Sequence, residues 1–393
     1  MNEPNRTDIK VIFALTMLHF AGDFYVSFVN PLLPVLVEKF ALSLTQVGLI
    51  AGMMRMLAFV VQPAVGYFAD RYRSRVFILG GPLLSIVFIA TMGFAPSFTI
   101  LLLFVALGSI GAAMFHPSIA GMIANYAGRR LGLCLSIFNM GGTLAFGLGP
   151  LFIAYIVGRW GLEAAAWTAV PGLAAMALLF KVVPAPRGEG LRGEGFFHAI
   201  REAFGEMWKA VVLIWLVMVI RAFVTQSFLA FTPILYAREG HSLLSIGFVL
   251  SVFTVAGTVS GVAAGHLSDR IGYKPIYYVA FTMTTPFLLL MLFLQGVWVY
   301  ASAALAGFFI FATLPLGLVM AQKLAPRGKS MVSSLMMGLA VGLGGMITPL
   351  VGSLADLFSI RAVLFGLALI PLASIVLVRF FPEEKLREQA LAG

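Results

Sequence analysis

Hydrophobic residues run along this chain in blocks of about twenty or more, separated by short clusters of charged residues, proline and glycine. The blocks fall near 11–36, 44–69, 76–95, 97–124, 131–157, 162–183, 210–236, 243–268, 275–294, 296–322, 330–355 and 361–381. A helix needs about 20 apolar residues to cross a bilayer, so the pattern predicts twelve transmembrane helices. A β-barrel would show short segments of alternating polarity, and none is present. The expected fold class is an all-α polytopic membrane protein. The first block lacks a small-residue cleavage signature and reads as a retained span.

The chain also resembles itself at an offset of 199 residues. Pro34 maps to Pro233, Gly48 to Gly247, Gly66 to Gly265, Asp70 to Asp269, Arg71 to Arg270 and Pro150 to Pro349. An even number of spans per copy makes the two copies parallel, related by an axis along the membrane normal. The expected domains are an N-terminal six-helix half over 1–183, a linker over 184–209 and a C-terminal six-helix half over 210–393. In the linker, Phe197, Ile200, Phe204 and Trp208 share one helical face while Glu202, Glu206 and Lys209 lie elsewhere. That pattern suits a helix lying in a membrane interface; a plain connecting loop is the alternative.

Composition closes off other classes. Of 393 residues, 61% are hydrophobic and 11% charged, about half the charge of a soluble domain. So much apolar surface cannot be hidden in one water-soluble core. This excludes a soluble enzyme, a nucleic-acid binder and a disordered chain. The net charge of +10 instead reports topology. With both termini cytoplasmic, 20 of the 26 lysines and arginines fall on cytoplasmic segments. Four (Lys39, Arg159, Arg238, Arg361) fall outside, and Arg55 and Arg221 lie within spans. The positive-inside bias therefore places the chain in a cytoplasmic (inner) membrane with both termini inside. A single cysteine, Cys134, excludes an intrachain disulfide and a cysteine-rich metal site.

Two loops carry a family signature. Residues 66–75 read G-Y-F-A-D-R-Y-R-S-R and residues 265–274 read G-H-L-S-D-R-I-G-Y-K. Together they resemble the G-x-x-x-D-R-x-G-[RK] motif of the major facilitator superfamily; the first copy has Arg73 where that motif has glycine. Within the superfamily the chain is similar to the fosmidomycin resistance group of drug exporters. HFAGDF (19–24), FALSLTQVGLI (40–50), QPAVGYFADR (62–71), FHP (115–117) and SIFNMGGTLAFGLGP (136–150) carry that likeness. The residues after Gly149-Pro150 depart from the glycine pattern usual in antiporters of the superfamily. The resemblance implies two rocking six-helix halves and a central cavity lined by spans 1, 4, 7 and 10. It also implies a cytoplasmic gating motif at Gly66, Asp70, Arg71, Gly265, Asp269 and Arg270.

Ionisable side chains at membrane depth are costly and mark functional sites by default. Asp23 lies about 18 Å into span 1 and Arg221 about 16 Å along span 7, near the bilayer centre. His19 precedes Asp23 by four residues and shares its helical face. His116 lies at a depth of about 12 Å, as His19 does. A buried carboxylate beside histidines suits proton uptake and release, so Asp23, His19 and His116 are the proton-coupling candidates. The bland alternative is that both histidines only bond backbone carbonyls, helped by Pro117, which frees the Ala113 carbonyl. Arg55 and Arg221 are the substrate-binding candidates, because a guanidinium holds carboxylates and phosphonates through forked bonds; a structural ion pair with Asp23 is their alternative. Tyr25, Asn139 and Gln226 are weaker substrate-binding candidates, since polar groups also glue helices together.

No nucleotide-binding loop or catalytic motif appears, so neither ATP-driven transport by this chain nor an intramembrane enzyme is indicated. The expected function is secondary active export of a small anionic or drug-like, phosphonate-like solute in exchange for protons. Its partners are that solute, protons and lipid, with no cofactor, resident metal or nucleic acid, and it acts as a monomer. Organic-acid uptake with protons stays open. So does divalent-metal transport through His19, Asp23 and His116, which two buried arginines would oppose. A non-transporting receptor or scaffold gains nothing from midplane charges.

Overall fold

The computed structural model describes residues 7–71, 75–185, 208–324 and 334–382. Every regular element among them is helical. Eleven helices are long and apolar enough to cross a membrane, and the third predicted span is the shorter apolar helix Val76–Ala90. Of the stretch 195–210 expected to form the interfacial helix, residues 195–207 lie outside the described residues, and Trp208 opens the next helix.

The first span is two helices, α1 (Ile9–Val26) and α2 (Val29–Phe40). Asp8 caps α1 by accepting the Val11 N–H at 3.2 Å. The break at Ser27 has a local cause: Pro31 has no N–H for the Ser27 carbonyl. The Ser27 hydroxyl donates to the Phe24 carbonyl at 2.6 Å. After Ala41, which ends α2 in the left-handed region at φ 49°, comes α3 (Leu44–Arg71). Its start is a reciprocal capping box: the Gln46 N–H donates to Ser43 Oγ at 3.2 Å and the Ser43 N–H to Gln46 Oε1 at 3.0 Å.

The third span begins as a π-helical turn, Val76–Gly80, and continues as α4 (Gly81–Ala90). It stops short of the expected residue 95 because Thr91 turns its hydroxyl onto the Val87 carbonyl at 2.6 Å and Pro96 follows. Then come α5 (Phe98–Tyr126), α6 (Leu131–Trp160) and, after the 3₁₀ turn Leu162–Thr168, α7 (Ala169–Val182).

The second copy opens with α8 (Trp208–Arg238) and α9 (Leu243–Ile271). Ser242 Oγ caps α9 by accepting the Ser245 N–H at 3.2 Å. Ser242 lies 199 residues after Ser43, so the repeat extends to its helix caps. There follow α10 (Tyr273–Phe293) and α11 (Val297–Leu324). Past a π-helical turn at Ser334–Leu339, span 11 splits at Ile347 into α12 (Ala340–Met346) and α13 (Thr348–Leu357). Pro349 in the first turn of α13 is the cause. The last helix is α14 (Ile360–Val378).

The chain divides into two compact units. One comprises Met1–Arg192 with Leu229–Ser251, the other Gly193–Phe228 with Val252–Gly393. In the first unit, Gly247 of α9 packs directly on Pro150 and Ala154 of α6. In the second, the core gathers around the fully buried Tyr277 and Phe281 of α10, Met218 of α8 and Leu316 of α11.

Candidate functional site: a histidine–aspartate–histidine triad

Three helices of the first unit build the site. On α1 the four-residue spacing of His19 and Asp23 brings Nε2 of one to 3.0 Å from Oδ2 of the other. From α5, His116 places its Nε2 3.3 Å from Asp23 Oδ1. The Oδ1 atom makes no aligned hydrogen bond among the described residues, so the second contact is the looser one. The Asp23 and His19 side chains are 4% and 6% exposed, and that of His116 is 31% exposed.

Backbone carbonyls orient both rings. His19 Nδ1 donates to the Phe138 carbonyl of α6 at 2.9 Å, and His116 Nδ1 to the Ala112 carbonyl one turn back at 2.7 Å. The acceptor is Ala112, not the Ala113 carbonyl that Pro117 was expected to expose. Histidine bonds to carbonyls and contacts to Asp23 thus occur together rather than as alternatives. Aromatic faces finish the seat. His19 stacks on Phe138 with centroids 4.0 Å apart, and His116 on Phe115 at 4.4 Å.

Two glycines make this close approach possible. A Cβ at Gly142 would lie 2.7 Å from His19 Nε2 and 2.9 Å from Asp23 Oδ2, and one at Gly22 would enter the Phe115 ring. Neither Gly142, the carbonyls nor Phe138 has a signature that sequence reading could tie to the triad. The adjacent glycines at 141–142 suit close helix approach but name no partner.

Arg55 of α3 is half-buried and stands within electrostatic reach of both Asp23 and His116. The structure thus brings together four of the expected site residues: His19, Asp23, His116 and Arg55. The ligating atoms of the triad lie within 4.8 Å of one another, a span that a cation could occupy. The charge of Arg55 opposes a dication there.

Arg221 belongs to the second unit. It is 4% exposed, yet its Nε and Nη1 have no hydrogen-bond partner among the described residues. Its guanidinium carbon sits 5.9 Å from the Phe311 ring centroid, a cation–π distance. Across α8 and α12, Gly344 packs on the backbone of Val219 and Phe223, the turn that carries Arg221.

The remaining candidates are scattered. Tyr25 is buried with its hydroxyl committed to the Thr168 carbonyl. Gln226 is half-buried and Asn139 exposed, the latter lending its carbonyl to the Thr143 hydroxyl at 3.0 Å. Of the gating motif, Gly66, Asp70 and Arg71 end α3, but their side chains, like that of Asp269, lie outside the described residues; Gly265 has open space around it and Arg270 is exposed.

A family model described as Major Facilitator Superfamily matches residues 12–349 and 236–392. The fosmidomycin resistance protein of Escherichia coli (strain K12) is 27% identical over 384 residues, covering 97% of this chain and 94% of that protein. The multidrug resistance protein MdtG of Citrobacter koseri is 28% identical over 289 residues, covering 69% of this chain and 70% of that one. In fold, the chain is similar to a bacterial homologue of the human lysosomal transporter Spinster, solved inward-facing and occupied. The TM-score is 0.76 at 18% identity, with 99% of this chain and 98% of that one covered.

Proposed function

Because the chain belongs to the major facilitator superfamily, we propose that it exports a small anionic or drug-like solute, phosphonate-like in character, in exchange for protons. The observation that carries this reading is the triad: a carboxylate held between two imidazoles, closed off by apolar helices, with Arg55 in reach. A structural role alone does not justify the cost of ionisable groups at this depth. The named activities of the two relatives, fosmidomycin and multidrug resistance, support export of a drug-like solute.

In this mechanism Asp23, with His19 and His116, takes up and releases protons. Arg55 and Arg221 hold the anion, with Gln226, Asn139 and Tyr25 as secondary contacts. The six-helix halves over 1–183 and 210–393, joined by 184–209, expose the solute alternately to the two sides of the inner membrane. The gating motif at Gly66, Asp70, Arg71, Gly265, Asp269 and Arg270 closes the cytoplasmic side, where both termini lie. Proton binding biases the two open states because it changes the charge facing Arg55. The protein works as a monomer.

One observation favours a second reading, uptake of an organic acid together with protons. Arg55 acts on Asp23 and His116, so each proton added to the triad makes the site more positive and draws an anion in with it.

Proteoliposomes enclosing a pH-sensitive dye test both readings, with fosmidomycin and then a panel of carboxylates as probes. A probe-driven proton flux that is lost in Asp23→Asn supports the mechanism, and its direction separates exchange from co-transport. An intact flux in Asp23→Asn, or no proton movement with any probe, overturns it.

A further inference from the structure

We propose that the proton exchanged at the triad travels on His116 Nε2 and leaves or enters at its contact with Asp23 Oδ1, while the proton between His19 and Asp23 Oδ2 stays in place. This division of labour rests on the proton-coupled reading above and deepens it: one residue exchanges and one holds.

The argument starts from the carbonyls. A carbonyl oxygen only accepts, so Nδ1 of His19, 2.9 Å from the Phe138 oxygen, carries its hydrogen. So does Nδ1 of His116, 2.7 Å from the Ala112 oxygen. A neutral ring protonated at Nδ1 presents a bare lone pair at Nε2. Both Nε2 atoms face carboxylate oxygens, at 3.0 and 3.3 Å, and lone pair against lone pair is repulsive. Each contact therefore needs a proton of its own. With both in place the triad is two imidazoliums and one carboxylate, a net charge of +1.

The two protons are not held alike. The His19–Oδ2 contact is the shorter, both side chains are at most 6% exposed, and the ring is pinned by the Phe138 carbonyl and stacked on the Phe138 ring. Removing its proton would leave two lone pairs in contact with no water to solvate them. His116 is 31% exposed, its contact is longer, and Asp23 Oδ1 lacks an aligned hydrogen bond among the described residues. The groups acting on these sites are the three triad members and Arg55, the charge a neighbouring helix contributes. Asp23 holds the imidazolium of His116 and Arg55 opposes it.

On release the His116 Nε2–H bond breaks, the electron pair stays on nitrogen and the proton passes to water. The ring becomes the neutral Nδ1–H tautomer, still bonded to Ala112. The triad falls from +1 to neutral, and the Oδ1 contact opens because a lone pair now faces it. Rebinding a proton at Nε2 reverses each step.

Nitrogen-15 NMR of histidine-labelled protein in lipid reads this directly. Replacing His198, His241 and His266 with glutamine leaves two histidines, so one further variant, His116→Gln, assigns both signals; His19→Gln serves if that variant does not fold. Between about pH 5 and pH 9, His116 is expected to lose one proton, from Nε2, while His19 keeps both N–H groups. Joint titration of the rings, titration of His19 alone, loss of the His116 proton from Nδ1, or no titration at all overturns the assignment. The two claims fail separately. A probe-driven flux with an inert His116 refutes this inference and leaves the transport reading standing. A titrating His116 with flux intact in Asp23→Asn does the reverse.

Discussion

Gly142→Ala is a one-carbon test of the triad. The added Cβ would lie 2.6 Å from His19 Cε1, 2.7 Å from His19 Nε2 and 2.9 Å from Asp23 Oδ2. Comfortable contact begins near about 3.5 Å, so one of these groups must retreat by about 0.6–0.9 Å. His19 has little room, because the Phe138 carbonyl holds its Nδ1 at 2.9 Å and the Phe138 ring covers its face. The retreat therefore comes out of the 3.0 Å contact between His19 and Asp23, which passes the limit of about 3.5 Å beyond which no hydrogen bond remains. Overpacking of this kind costs about 1–3 kcal/mol. Gly141→Ala is the matched control: its Cβ would lie 2.8 Å from Thr16 Cγ2 and 3.1 Å from the Thr16 carbonyl, a similar crowding that touches no ionisable group. Thermal unfolding in detergent and probe-driven proton flux in liposomes are the two assays. Both variants are expected to lose similar stability, while Gly142→Ala alone loses proton flux. Equal flux in the two variants would refute the reasoning.

Two further substitutions probe the charge in the second unit and the repeat. Arg221→Met removes a buried charge whose Nε and Nη1 are unpartnered among the described residues; it should stabilise the fold by about 1–4 kcal/mol and weaken binding of the transported anion at least about tenfold. A lowered unfolding temperature, or unchanged affinity by equilibrium binding, would count against that role for Arg221. Ser43→Ala and Ser242→Ala each remove a helix cap at equivalent points of the two copies, and each should cost about 1 kcal/mol in thermal unfolding. An effect in only one of them would argue against equivalent caps.

What could be read from the sequence was whatever left a trace in side-chain type and spacing. The apolar blocks became helices because a bilayer leaves backbone groups no other partner. The spacing of His19 and Asp23 predicted a shared face, and matching depth brought in His116. Helix breaks were less legible. The kink at Ser27, the early end of α4 at Thr91 and the split at Ile347 each depend on a hydroxyl or proline acting within a run that stays apolar. The acceptors of Phe138 and Ala112 were invisible for a simpler reason: every residue has a carbonyl, and only the packing of α1, α5 and α6 selects these two. The Ser43 and Ser242 caps do lie at the 199-residue offset, but a serine before an apolar run is too common a pattern to mark a cap by itself.

The bond from His19 to Phe138 also makes chemistry depend on mechanics. The imidazole sits on α1 and its carbonyl on α6, so the proton on His19 Nδ1 is held in place by how these two rods are aligned. Sliding one along the other by two residues' rise, about 3 Å, takes the oxygen out of reach and frees Nδ1. The ring can then give up its Nδ1 hydrogen, keep the one on Nε2 and satisfy Asp23 as a neutral donor, with one proton fewer in the site. Axial displacement of a helix is in this way converted into a count of bound protons, with no charged residue on α6 taking part.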